Sequence, residues 1–210
     1  MPREWRAACI ELAEDRARSE ALNSWRQTGQ SVLFEHRWEH VQQVAGLALW
    51  LAAETGADRE TVEAAAWLHD VCKAQPNHGA AGAAEAERLL PATDFPAHKI
   101  PAVADAIRKH VGLYRDGNPV APLEAAVLWD ADKLSKLGVQ ALIYSLSTAH
   151  VAGMSLAQRR KYADEFTRTV LNRTVAGMHT QPARAEAQRR YAAMLAALAA
   201  WAQEEQLGTP

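Results

Sequence analysis

The side chains best suited to chemistry fall in three short strings: "HRWEH" at residues 36–40, "LHDVCK" at 68–73 and "WDADKLSKLG" at 129–138. In the first, His36 and His40 stand one helical turn apart with Glu39 between them, an arrangement that can hold zinc and activate water. In the second, His69 and Asp70 adjoin near the end of an apolar helix. Both can reach one divalent cation, with His40 from the preceding helix as a third donor. In the third, Asp130 and Asp132 interrupt an otherwise apolar helix, and either would supply a further carboxylate. Roughly 200° separates the two on an ideal helix, so both cannot face one ion. Asp130 shares the stripe of Leu123, Val127, Leu134 and Leu137, and periodicity by itself leans toward Asp130.

Helices must carry these groups. The composition is 49% hydrophobic with much alanine and few β-branched residues, which favours close-packed helices and an all-α fold. Positions 40, 44, 47 and 51 are His, Val, Leu and Leu, one side of a helix that turns His40 inward. A second helix over about 59–70 places Val62, Ala65, Ala66 and His69 on one face. Around them the pattern predicts an opening helix after Pro2 to about residue 22, then helices over about 79–90, 102–110, 123–138, 139–152 and 155–176. A final helix follows, with Tyr191, Met194, Leu195, Leu198 and Trp201 as its buried stripe.

The 210 residues suffice for one helical domain spanning 1–210, with extensions at both ends of a motif-bearing core at about 35–140. Cys9 and Cys72 are read as reduced thiols, and the charged amino terminus lacks a signal-peptide core, so the expected compartment is the cytoplasm, with no membrane partner. A net charge of −2 argues against stable nucleic-acid binding but leaves small anionic substrates open, because a bound cation supplies positive field locally.

The order His40, His69-Asp70 and Ala131-Asp132-Lys133-Leu134 resembles the H…HD…D pattern of the HD-domain metal-dependent phosphohydrolases. The resemblance implies a helical HD bundle and a metal set of His40, His69, Asp70 and Asp132, with Asp130 supporting a ligand. "NHGAAGAAEAERLL" and "AIRKHVG" are similar to segments that bring two extra histidines in binuclear subgroups, including the bacterial dinucleoside-tetraphosphate hydrolases, and implicate His78 and His110. The implied activity is cleavage of a phosphoester or phosphoanhydride bond, in a small phosphorylated substrate such as a nucleotide, by a metal-activated water. One ion or two would serve: manganese, iron, cobalt or nickel by the ligand mix, with magnesium or zinc also compatible. Asp70 would orient the water, Lys73 or Lys133 would steady phosphoryl oxygens, and His110 would protonate the leaving group or bind a second metal. Arg37 is read as a phosphate contact or an ordinary surface arginine, and a homodimer is left open. The rival from another class is a catalytically silent HD module that binds a nucleotide or metal as a regulator. The inverted zinc-protease signature needs His36 and leaves His69, Asp70 and Asp132 without a task. On the HD reading, His36 is a surface or loop residue just before the helix and Glu39 is solvated.

Overall fold

Small side chains at the contact positions set this architecture. In the computed structural model, which describes residues 3–29, 36–115 and 117–207, α1 (Trp5–Arg26) buries Cys9, Ala13, Ala17, Ala21 and Trp25 at four-residue steps. That stripe of mostly small residues lets the helix lie close against α2 (His36–Thr55) and α3 (Arg59–Leu68). Pro2, the expected lead-in to α1, lies outside the described residues; Glu4 caps the helix instead, accepting from the N–H groups of Arg6 and Ala7.

The bundle that carries the site is α2, α3, α4 (His78–Leu89), α5 (Ile100–Lys109) and α6 (Leu123–Leu134). At its centre runs α6, with every residue from Ala125 to Leu134 buried. It packs on α2, α3 and α5 and also on the long C-terminal helix α10 (Gln181–Leu207). A helix covered on all sides presents its two aspartates to two different neighbours, and this separates their roles below. α7 (Val139–Leu146), α8 (Leu156–Phe166) and α9 (Asn172–Ala176) complete the C-terminal layer beside α10. Among the described residues the secondary structure is all-α apart from an isolated bridge between Arg3 and Thr93.

Element existence follows the sequence pattern, and the differences lie at the ends. α6 stops at Leu134 rather than running to Gly138, which has φ +98°, a left-handed conformation that glycine adopts without steric penalty. α7 ends at Leu146, and the continuous helix expected over 155–176 is widened at Thr167–Leu171 into a π-type turn between α8 and α9. On α10, Met194 and Leu198 are buried as expected, whereas Tyr191, Leu195 and Trp201 are only partly covered. Cys9 and Cys72 are both free thiols. No described helix is long and apolar enough to cross a membrane.

Candidate metal centre

Asp58 caps α3 at its start, and the helix ends at Leu68, so His69 and Asp70 occupy the turn that leaves it, their side chains directed inward. Across from them α2 supplies His40. The Nε2 atoms of His69 and His40 lie 3.4 Å apart, and Asp70 Oδ2 is 3.5 Å from His69 Nε2 and 3.7 Å from His40 Nε2. The other oxygen, Asp70 Oδ1, is 3.4 Å from His110 Nε2 and 4.0 Å from His78 Nε2. Two donor triads result, His40 with His69 and Asp70, and Asp70 with His78 and His110; the donor atoms within each lie within 4.8 Å of one another. Asp132 joins the first triad's edge with Oδ1 3.5 Å from His40 Nε2.

The approach of α4 to α5 is what brings His78 beside His110. A Cβ at Gly79 would meet Val111 Cγ2 at 2.6 Å, and one at Gly82 would meet Ile107 Cγ2 at 3.2 Å and the His69 carbonyl at 3.4 Å. Glycine at both positions lets the helices approach without displacing these neighbours, so the "NHGAAG" string packs α4 tightly as well as supplying a histidine.

Hydrogen bonds at the far ring nitrogens fix the tautomers. The Nδ1–H of His69 donates to the Ala66 carbonyl at 2.7 Å, and that of His110 to the Ile107 carbonyl at 2.6 Å. Ser135 donates its hydroxyl to the Asp132 carbonyl at 2.6 Å, which leaves its oxygen to accept from His40 Nδ1 at 3.2 Å. All three rings thereby turn an Nε2 lone pair into the cluster, the orientation a metal ligand needs. His110 Nε2 is buried with no hydrogen-bond partner. Burial pushes His40 down to about 3 and His69 to about 4, and burial together with Lys73 brings His78 to about 4, so His40, His69 and His78 are neutral donors at neutral pH. The donor set therefore fits a divalent transition metal.

The carboxylates are not left unpaired. Burial alone would raise Asp70 and Asp132, but neighbouring groups hold both well below the usual range. Asp70 accepts from Arg37 Nη2 at 2.8 Å and from Lys73 Nζ at 3.1 Å. Asp132 is paired with Lys133 and with Lys136 Nζ at 2.8 Å. Converging imidazole lone pairs, rather than uncompensated charge, are what point to a cation.

Several residues sit differently from their sequence reading. Arg37 is neither a free surface arginine nor open to a phosphate: only 11% of its side chain is exposed, and it bridges Asp70 to Glu20. Lys133, read as a phosphate contact, is instead buried against Asp132, with Nζ also donating to the His110 carbonyl at 2.9 Å and with its ammonium pushed down to about 8 by burial. Asp130 supports no ligand. Its two oxygens accept from the N–H groups of His179 and Thr180, both at 2.8 Å, and from the Thr180 hydroxyl at 2.7 Å, anchoring the entry to α10. His36 begins α2 and is buried, its ring edge-on to Tyr144 with centroids 4.6 Å apart, while Glu39 is exposed as expected. The protease constellation is therefore not assembled. His98 and His150 are exposed, and His179 packs on Trp129.

The sequence reading missed Ser135, Lys136, Tyr144 and Glu20. Lys136, four residues after Asp132, was detectable as a helical charge pair. Ser135, Tyr144 and Glu20 reach the centre only through tertiary packing.

Residues 37–137 match the family model described as HD domain. Among solved structures, Bacillus subtilis YpgQ resembles this chain at 23% identity with a TM-score of 0.63, over 93% of this chain and 96% of that one. YpgQ in complex with ADP gives 24% and 0.64, over 90% and 97%. An HD-superfamily hydrolase from Bacillus thuringiensis gives 19% and 0.65, over 90% and 98%. Among curated proteins, none matches the chain. Residues 37–137, which hold the H…HD…D residues, thus form an HD domain, and these neighbours share the helical fold of the chain.

Proposed function

We propose that the protein is a metal-dependent phosphohydrolase that cleaves a phosphoester or phosphoanhydride bond of a nucleotide. The observation that carries this reading is Asp70, whose two oxygens are divided between the His40–His69 pair and the His78–His110 pair. In this reading His40, His69, Asp70 and Asp132 hold one ion, and Asp70, His78 and His110 hold a second. Such ions lower the pKa of water and neutralise charge on a phosphoryl group under attack.

The chain's own residues then divide the remaining work. Asp70 bridges the two positions and is kept rigid by Arg37. Lys136 and Lys133 hold Asp132 in place. Lys73, whose side chain is a third exposed, is the ammonium that meets phosphoryl oxygens of a substrate arriving from solvent. His110, with its proton committed to Ile107, is assigned as a ligand rather than as the leaving group's proton donor. Water adds to phosphorus as the bridging P–O bond breaks, and the proton that the water loses balances the one taken up by the leaving oxygen. A nucleotide substrate is supported by the ADP complex of YpgQ, a protein of similar fold.

The test is release of phosphate or pyrophosphate from nucleoside mono-, di- and triphosphates, and of mononucleotides from dinucleoside polyphosphates, with manganese added. Release that disappears in Asp70→Asn supports the reading. A metal-loaded protein inert across the whole panel would overturn it in favour of a silent binding module.

A further inference from the structure

Beside the cluster, on the side away from α4, lies a cavity of about 240 Å³. His40 and Lys136 belong both to its wall and to the donor cluster, so whatever fills it touches the metal centre. The rest of its lining is of another kind. Tyr144, Tyr162, Phe166 and Met194 present aromatic and apolar surface, and the Tyr162 and Phe166 rings lie nearly parallel, 15° between planes with centroids 6.1 Å apart. The polar groups on this wall are few. Ser145 donates its hydroxyl to the Leu142 carbonyl at 2.8 Å and keeps its oxygen as an acceptor, and Gln43 donates its amide N–H to Gln140 at 3.1 Å and keeps its own carbonyl.

An apolar recess of this size is smaller than the roughly 300–1,000 Å³ that encloses a drug-sized ligand, so it takes one flat ring system and not a whole nucleotide. Phosphates do not belong against Tyr162, Phe166 and Met194. They belong at the cluster, where Lys73, the histidines and the ions would meet them. We propose that this recess seats the nucleobase of the substrate, with Phe166 and Tyr162 supplying the stacking surface and Ser145 and Gln43 reading the edge of the ring. The inference rests on the phosphohydrolase reading and deepens it. It also divides the chain: the metal donors all lie within the HD segment 37–137, whereas Tyr144, Ser145, Tyr162, Phe166 and Met194 all lie after it. The stacking surface thus resides in the C-terminal helices, and the reading of the ring edge is divided between Ser145 there and Gln43 of α2.

The experiment uses the full, manganese-loaded chain and probes that cannot be hydrolysed. Calorimetry compares α,β-methylene nucleoside diphosphates of adenine, guanine, cytosine and uracil with methylenediphosphonate, which carries the bridged phosphorus pair without ribose or base. At least one nucleoside analogue should bind about ten-fold or more tightly than methylenediphosphonate. Phe166→Leu, which keeps apolar bulk and removes the ring, should weaken that analogue by about two- to ten-fold, the range of an aromatic contact. Ala163→Leu, which projects into the recess, should weaken it at least as much, and neither variant should change methylenediphosphonate binding. Equal affinity for all five probes would overturn the inference while leaving the phosphohydrolase reading intact. So would unchanged analogue affinity in both variants, or loss of methylenediphosphonate binding in them, since the recess would then belong to the phosphate site. Failure of wild type to bind methylenediphosphonate would count against the phosphohydrolase reading itself and carry this inference down with it.

Discussion

His40 and His69 meet with their Nε2 atoms 3.4 Å apart, while the opposite nitrogen of each ring is already engaged, by Ser135 and by Ala66. Two lone pairs at that separation repel unless an electrophile lies between them. Asp70 and Asp132 supply only oxygen acceptors to the same space, and their own cations, Arg37, Lys73, Lys133 and Lys136, bond the carboxylates rather than the imidazoles. The centre is organised to receive a cation.

Metal uptake is the direct consequence. The wild-type chain should bind close to two manganese ions, and Asp70→Asn should lose both, because that carboxylate is common to the two triads. Ser135→Ala should keep the fold but weaken uptake at the first position by about 10- to 100-fold, since it frees the His40 ring to rotate away from the centre. His36→Ala should leave stoichiometry unchanged, its ring lying on Tyr144. Elemental analysis and competition with a chelating dye measure all three. Full occupancy in Asp70→Asn would count decisively against the shared-carboxylate centre.

The second position depends on backbone proximity as well as on its ligands. Gly82→Val would force branched carbon against Ile107 and the His69 carbonyl, pushing α4 from α5 and carrying His78 away from Asp70. Overpacking of this kind costs about 1–3 kcal/mol, and a lowered Tm should accompany a fall from two ions to one. Retention of two ions at full affinity would mean that His78 does not depend on this packing.

How much of this was legible in the sequence depends on range. Helices whose stripes repeat at three and four residues were readable, and so were His40 and His69 as inward groups, because periodicity is a local signal. The choice between Asp130 and Asp132 was not, because α6 is buried on every side and its apolar stripe has no single direction. The family pattern selected Asp132, and Asp130 then proved to be bonded to the turn before α10, some fifty residues along the chain. Lys133, read as a phosphate contact, and Arg37, read as that or as a surface arginine, sit differently for a related reason: a long cationic side chain ordinarily reaches solvent, and only the folded chain buries it against a carboxylate.

Positioning of His69 and Asp70 begins eleven residues before His69, at the cap of α3. Burial by itself would raise the Asp58 carboxyl, but hydrogen bonds from Lys99 and Thr61 hold it down at about 2. A folded pKa below the unfolded value means stability that is present above about pH 4 and lost as pH falls toward 2. Asp58→Ala should therefore destabilise the protein by about 1 kcal/mol at neutral pH, the usual effect of losing a cap. The gap between variant and wild type should close as the pH falls through that window. Denaturant melts at pH 7, 4 and 2.5 check it, and a gap independent of pH would show that the charge of Asp58 is immaterial.

The two aspartates of α6 give the sharpest contrast, because they sit two residues apart and serve different neighbours. Asp130→Ala removes the acceptor for two backbone N–H groups and a hydroxyl at the start of α10, all of them at 2.7–2.8 Å. Leaving buried donors unsatisfied costs about 1–3 kcal/mol each, so this variant should melt well below wild type yet keep its metal and its rate per folded molecule. Asp132→Asn keeps the size of the side chain but removes the charge that faces His40 and pairs with Lys133 and Lys136. It too should lose stability, since Lys133 is left buried without its counter-charge. Its distinguishing loss is functional: metal at the first position should weaken and phosphate release should fall by about 100-fold or more, as when a transition-state charge stabiliser is removed. Melting curves, metal content and rates measured on the same samples, at a temperature where both variants are folded, separate the two residues. If Asp130→Ala loses metal while Asp132→Asn keeps it, then the carboxylate that holds the ion is the one at the foot of α10, and the register of α6 has been assigned to the wrong neighbour.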